Sequence, residues 1–340
     1  MKLTIENNWK KFRSKNYNYN FNVETGYFER WGKVKEDDPI YSEFGPEILD
    51  CEVSTICNFG CPFCYKGNTS NGKHMSFEVF KNIFDKFPKY NGIHFLTQIA
   101  FGIGNIDASD DLWKMMEYCR KNGVVPNITI NGDRLTNKII EKLVKYCGAI
   151  AVSRYVNKNI CYDAIEKLSK KGMKQINIHQ MISKETFGQA IETLSDIEKD
   201  KRLEKLNAIV FLSLKQKGRG IHHNKLNIFL FENLIKFALK NRINFGFDSC
   251  GANKATEVFK KLNILEKYEQ YIEPCESSSF SYYIDVNGVG HPCSFSNECS
   301  VGVDILKVND FKNDVWFNIE TCIERKRIQD NGRSCPYFKV

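Results

Sequence analysis

The sequence contains no apolar run near the roughly 18 residues that a membrane-spanning helix needs. Its mean hydropathy is −0.41. The N-terminus, MKLTIENNWKKFRSK, lacks the apolar core of a secretory signal, so none is expected. There is no internal repeat and no long low-complexity linker. Hydrophobic residues make up 42% and charged residues 26% of 340 positions, as in folded globular proteins. A chain this long buries a large core without staples, which excludes disorder, collagen-like structure and a small disulfide scaffold. The length suggests about two domains, and a cytoplasmic location is expected. Cysteine, by contrast, is abundant: there are thirteen. An odd number cannot pair completely, and a reducing compartment has no use for six disulfides. Clustered cysteines there read as metal ligands or catalytic thiols. The net charge of +8 tolerates an acidic partner without demanding one.

Residues 1–46 are rich in Asn, Lys and aromatics and form an N-terminal extension. Within ETGYFERWGK, Thr25-Gly26 between short aromatic runs predicts a hairpin. From Glu47 strand and helix signals alternate. ILDCEVST, LTQIAFG, VVPNITI, AIAVSRY, KQINIHQMI, NAIVFLSL and INFGFDS read as strands. MSFEVFKNIFDKF sets Phe77, Phe80, Ile83, Phe84 and Phe87 at helical spacing. DDLWKMMEYCRKNG begins acidic and ends basic before Gly123, as the helix macrodipole favours. Six or more strand-then-helix units in series predict an α/β fold with a parallel sheet flanked by helices. Such sheets bind ligands beyond the carboxyl ends of their strands. The periodicity breaks down near Gly251. The expected division is therefore an α/β unit over 47–250 and a smaller cysteine-bearing region over 251–340.

The loop after the first strand of that unit reads CNFGCPFCY. Cys57, Cys61 and Cys64 are spaced CxxxCxxC, and Gly60 and Pro62 let the loop bend around a common centre. Three thiolates can wrap one iron–sulfur cube, whose full ligation takes four, leaving one iron open to a substrate or cofactor. Zinc is the alternative, although structural zinc sites usually join two CxxC-type knuckles through four ligands.

This motif, with Tyr65 beside the last cysteine, resembles the signature of the radical S-adenosylmethionine (radical SAM) superfamily. The resemblance covers about residues 47–250. It implies a partial (β/α)6 TIM-like barrel with a 4Fe-4S cluster on Cys57, Cys61 and Cys64. It also implies S-adenosylmethionine (SAM) as cofactor, cleaved reductively to a 5′-deoxyadenosyl radical that takes hydrogen from a substrate carbon. After the second strand, Ile103-Gly104-Asn105 sits where the family carries GGE, whose exposed backbone binds the SAM amino group. Ile103 and Asn105 depart from that pattern, while Gly102 and Gly104 permit close approach for want of a Cβ. Asn131-Gly132 resembles the family's TNG strand end, or is an ordinary turn. Ser153 sits where a family serine contacts the ribose or carboxylate of SAM, or is a helix cap. Arg154 has the fork that suits the SAM carboxylate, or is a surface arginine. His179 and Gln180 alternate on one strand, so at most one faces the barrel interior, and His179 reads as a core residue.

Further on, Cys275, Gly288 and Cys293 in CESSSFSYYIDVNGVGHPC resemble the opening half of SPASM/twitch extensions, which hold auxiliary iron–sulfur clusters. A turn at Asn287-Gly288 would bring the two cysteines together. The continuation Cx2Cx5Cx3C is absent, so one auxiliary 4Fe-4S cluster is implied, with Cys335 resembling the late returning cysteine. Cys250, ending the last strand, is the preferred fourth ligand. Cys299 and Cys322 are alternatives, and free thiols are the remaining reading. Cys51, Cys119 and Cys147 read as core, and Cys161 is unassigned. The loop KQKGRGIHHNK, with Lys215, Lys217, Arg219, His222, His223 and Lys225, suits a SAM carboxylate, a peptide carboxylate or a phosphate, or is merely solvated.

The resemblance implies a radical SAM enzyme fed by an external electron donor such as a flavodoxin or ferredoxin. The auxiliary region implies modification of a peptide or protein side chain, although no leader-binding winged-helix module is evident near the N-terminus. A small-molecule or nucleotide substrate is the alternative, and the basic loop favours it. A non-enzymatic iron–sulfur or zinc protein that binds nucleic acid is the rival of another class. It rests on Trp9, Lys10, Lys11, Phe12 and Arg13, since stacking plus charge suits single strands. No membrane partner is expected.

Overall fold

The computed structural model describes residues 1–34, 36–296 and 300–338. Four strands open the chain: β1 (Lys2–Glu6), β2 (Trp9–Arg13), β3 (Asn18–Asn22) and β4 (Phe28–Trp31), an antiparallel meander in that order. The hairpin expected at Thr25-Gly26 joins β3 to β4. A second hairpin precedes it at Asn7-Asn8, both with positive φ (50° and 65°), a conformation that asparagine tolerates. Alternation along β2 turns Lys10 and Phe12 inward. Phe12 joins Leu3, Tyr19, Phe21, Phe95 and Val125 in a second, smaller core.

Lys10 is fully buried. Its Nζ donates to the carbonyls of Leu96 and Gly123, just ahead of two barrel strands. The sheet therefore seals the amino-terminal end of the barrel, and the proposed single-strand platform is not there. Lys10 and Phe12 are inside, and the Arg13 guanidinium is spent on the carbonyls of Phe12 and Tyr19. Burial pulls the Lys10 pKa down to about 7. Between that value and the ordinary lysine pKa, the unfolded chain holds a proton that the folded chain lacks, so stability rises with pH. We expect Lys10 to contribute a slope of up to about 1.4 kcal/mol per pH unit between pH 7 and 10. Denaturation midpoints of the wild type and of Lys10→Met across that range check this, the variant losing the slope.

The main sheet is built from β5 (Ile48–Ser54), β8 (Gln98–Ile103), β9 (Val125–Ile130), β10 (Ala149–Ser153), β11 (Ile176–Ile182), β12 (Ala208–Ser213) and the short β13 (Phe245–Phe247). All seven are parallel and adjacent in chain order. A two-stranded ribbon, β6 (Lys89–Tyr90) and β7 (Ile93–His94), sits between β5 and β8 in the chain. Helices α1 (Phe77–Asp85), α2 (Asp111–Lys121), α3 (Asn137–Tyr146), α4 (Lys158–Lys170), α5 (Phe187–Ile197) and α6 (Ile228–Lys240) fill the crossovers. Their apolar stripes close the outer layer, as Phe80, Ile83 and Phe84 do on α1, which Ser76 caps through the Val79 amide. This is the parallel α/β sheet that the strand-helix alternation predicts, in the partial-barrel form that the family resemblance implies.

The region after Gly251 does not stand apart. After α7 (Ala252–Lys261) and α8 (Leu265–Tyr268), strand β14 (Ser281–Ile284) pairs parallel with β5, setting Tyr283 beside Asp50. Strands β15 (Val289–His291) and β16 (Val303–Asp304) continue antiparallel, and α9 (Ile319–Asp330) follows. One sheet of ten strands thus crosses the expected 250/251 boundary. The β14–β15 turn falls at Asn287-Gly288 as anticipated, with Gly288 at φ 82°. Among the described residues, no helix is long and apolar enough to cross a membrane.

Candidate active site

A cavity of about 390 Å³ opens at the carboxyl ends of the barrel strands. The loop after β5 brings Cys57, Cys61, Cys64 and Tyr65 to it; β8 brings Gly102 and Gly104, and the ends of β9 and β10 bring Asn131, Ser153 and Arg154. Residues from four separate strand ends thus share one space. Gly104 has a steric reason to be glycine. A Cβ there would lie 2.4 Å from the Cys57 Cβ and 2.4 Å from the Ile56 carbonyl oxygen. Asn131 is both a turn residue and a lining residue. Its Oδ1 accepts from the Asp133 amide (3.0 Å), and its Nδ2 donates to the Gly104 carbonyl (3.2 Å). Ser153 is not a helix cap, because Asn157 caps α4. Its side chain hydrogen-bonds Tyr155, whose hydroxyl also meets Cys61. Arg154 is not on the surface, and both terminal nitrogens of its fork are already engaged while Nε has no partner. It is buried, Nη2 donates to Glu192 (2.8 Å), and Nη1 donates to the Tyr155 and Val156 carbonyls.

The basic loop turns out to be the scaffold of the cysteine loop. Arg219 donates from Nε to the Cys61 carbonyl (2.8 Å), from Nη1 to the Asn68 carbonyl (3.2 Å) and from its backbone to the Cys64 carbonyl (3.0 Å). Gly218, at φ 55°, lies so close that a Cβ would come 2.4 Å from the Tyr65 carbonyl oxygen. Arg219→Met should therefore loosen residues 57–68 without unfolding the barrel. Losing charge-assisted bonds worth roughly 1–3 kcal/mol should speed amide exchange in that loop about tenfold or more, with β12 unchanged.

A second group of thiols forms beside this loop. Cys250 interacts electrostatically with Cys275 and Cys293, and Cys335 with Cys275 and Cys293. The folding reason is local. Cys250 is the middle residue of a short turn after β13, Ser249–Gly251, that Asp248 caps. The β14–β15 hairpin holds Cys275 and Cys293 together, with Ser277 Oγ donating to the Pro292 carbonyl (2.9 Å). The Cys275 amide donates to the Arg333 carbonyl (3.0 Å), which draws in the Cys335 segment. Backbone amides already point at the sulfurs: Phe295 at Cys293 (3.4 Å) and Phe338 at Cys335 (3.3 Å). Cys322 is elsewhere, against Arg325 (3.8 Å), and Cys299 lies outside the described residues. None of the twelve described cysteines is in a disulfide. Cys51, Cys119 and Cys147 are buried as expected, and Cys161 is too. Among the described residues, no three His, Cys, Asp or Glu side chains close on a single metal ion. An all-cysteine donor set with backbone amides aimed at sulfur is the environment that iron–sulfur clusters use.

Residues 51–203 match the family described as the Radical SAM superfamily. The chain carries a radical SAM domain. No curated protein is similar enough in sequence to count as a match. Among solved structures, SuiB of Streptococcus suis bound to its precursor peptide SuiA is 15% identical. It aligns over 94% of this chain and 89% of its own, at a TM-score of 0.69. The anSMEcpe structure with bound AdoMet and the Cp18Cys peptide is also 15% identical, over 86% and 87% of the chains, at a TM-score of 0.61. At such identities the likeness is one of fold, and it spans the barrel and most of the C-terminal region.

The radical SAM domain also holds lining residues that the motifs do not reveal. On β5, Asp50, Glu52 and Ser54 face the cavity while Leu49, Cys51 and Val53 face the core. Glu52 is ion-paired with Lys66 (3.1 Å) and accepts from the Tyr283 hydroxyl (3.1 Å) and the Val286 amide (3.3 Å). Burial raises the Asp50 pKa to about 6. His179 is not core packing. Alternation on β11 sends His179 and Met181 into the cavity, and Gln180 outward to Gln189 and Thr193. Burial lowers the His179 pKa to about 4, so its ring is neutral at Thr129 (3.5 Å). The acid/apolar alternation of ILDCEVS was a usable signal, whereas Tyr283 lies 231 positions from Glu52 in sequence and gave none.

Proposed function

We propose that this protein is a radical SAM enzyme that modifies a peptide or protein side chain in the cytoplasm, taking electrons from an external flavodoxin- or ferredoxin-type donor. The observation that carries the reading is the single cavity shared by the three cysteines after β5 and the strand ends at Gly102–Gly104, Asn131 and Ser153. The cluster held by Cys57, Cys61 and Cys64 would supply the electron that breaks SAM into methionine and a carbon radical. The chain's own part is positional. Bare backbone at Gly102 and Gly104 lets a ligand lie against β8. Ser153 and the neutral His179 offer uncharged polar contacts, and Phe59, Phe63 and Tyr155 pack over the cysteine loop (ring centroids 5.0 and 5.7 Å apart from Tyr155) and limit water.

Three points favour a peptide substrate. The second cysteine group stands beside the cavity, and Tyr65, which lines it, packs on Phe295 (4.4 Å). SuiB and anSMEcpe, which share the fold, are each seen with a peptide. The basic loop, which spoke for a small anion, has its Arg219 committed to backbone carbonyls. The test is anaerobic reconstitution, iron and sulfide counting, and assay of 5′-deoxyadenosine after SAM and dithionite are added. About eight irons and 5′-deoxyadenosine are expected. Zinc without cleavage would overturn the proposal. Mass analysis of short peptides encoded beside the gene then tests the substrate class, and no mass change in any of them would count against it.

A further inference from the structure

We infer that Lys215 is the built-in counter-charge of the second cysteine group and sets the reduction potential of the cluster there; this rests on reading Cys250, Cys275, Cys293 and Cys335 as ligands. Lys215 leaves β12 and is 5% exposed, so its ammonium must be balanced inside the protein. Its Nζ is ion-paired with Asp248, two residues before Cys250. The same Nζ lies 4.7 Å from the centre of the Phe295 ring. The Phe295 amide in turn donates to the Cys293 sulfur (3.4 Å). The cation is thus wedged between the Cys250 segment and the Cys293 segment. Lys217, two residues on, donates to the Phe295 carbonyl (3.0 Å) and ties the loop to the same segment.

Asp248 cancels the lysine charge only once, and four thiolates bring a further excess of negative charge. One-electron reduction by the external donor adds one more and breaks no bond. A buried cation at this position favours the reduced form, because charges interact strongly away from water, and net charge and contacts at sulfur govern cluster potentials. Beside the cysteines of the first cavity the nearby lysine is Lys66, which is paired with Glu52 (3.1 Å). Their loop is held by Arg219 through backbone carbonyls, not through sulfur.

The experiment is a redox titration followed by electron paramagnetic resonance on full-length protein in which Cys57, Cys61 and Cys64 are all alanine, so that one cluster remains. Lys215→Gln in that background should shift the midpoint to a more negative potential at unchanged iron content, and Lys215→Arg should restore it. An unchanged midpoint with Lys215→Gln overturns the inference alone. Iron lost from Lys215→Gln but kept by Lys215→Arg supports it, since charge alone then separates the two. Iron lost from both reduces Lys215 to a packing role and overturns it. A parent variant that binds no iron at all overturns the ligand reading itself, and the inference with it.

Discussion

Replacing Cys57, Cys61 and Cys64 together by alanine should abolish 5′-deoxyadenosine formation while leaving about half of the iron, about four of about eight per chain. The fold should survive, because little of the loop depends on its thiols. The Cys57 amide donates to the Thr69 carbonyl (2.7 Å), the Thr55 amide to the Lys73 carbonyl (3.0 Å) and the Arg219 amide to the Cys64 carbonyl (3.0 Å), backbone contacts that alanine leaves in place. The retained iron should sit on Cys250, Cys275, Cys293 and Cys335, which other segments assemble. The converse variant, Cys275→Ala with Cys293→Ala, should lose the other half and still cleave SAM. Iron analysis with a cleavage assay on both proteins checks the pair. Loss of all iron from the first would show that the two groups are not independent.

The second large effect belongs to one methyl group. Gly104→Ala should cost most of the iron on the first group and the cleavage activity with it. Its Cβ would fall 2.4 Å from both the Cys57 side chain and the Ile56 carbonyl oxygen. Neither can retreat cheaply, since one is the proposed cluster ligand and the other is backbone that also accepts from the Asn105 amide (3.3 Å). Overpacking of this kind costs typically 1–3 kcal/mol and is relieved here by displacing the loop. Gly102→Ala is the control. Its nearest neighbours would be 3.7 Å away, an ordinary contact, so the protein should fold and load iron normally. Any loss should then appear as weaker SAM binding, because the added methyl stands where a ligand would approach the strand. Iron content and SAM affinity, measured side by side, separate a glycine that the loop requires from one that a ligand requires.

Sequence and structure divide the evidence unequally. The parallel sheet and its helices were legible because their causes are local, whereas the barrel form came with the family resemblance. Alternation and helical spacing mark each strand and helix, and a parallel strand must be followed by a crossover. The first cysteine group was legible for the same reason, as three cysteines on one short loop need only that loop to bend. Asn7-Asn8 was a hairpin signal of the same local kind, and it passes easily for a polar stretch.

What only the tertiary structure decided are relations between distant segments. No local signal tells that Lys10 is buried beneath the barrel, or that Arg154 is committed to Glu192. The basic loop reads as an anion site because an uninterrupted run of cations looks unbalanced; its partners are backbone carbonyls, which a sequence does not display. His179 read as core until pairing set the phase of β11 and turned it into the cavity. That Cys250 stands near Cys275 and Cys293, while Cys322 lies against Arg325, is likewise a matter of packing. The sequence by itself determined the elements and the chemistry of each short motif, because these depend on neighbours within a few residues. Which motifs meet, and which charges are already spent, is decided by the one ten-stranded sheet that joins β14 to β5 across more than two hundred residues.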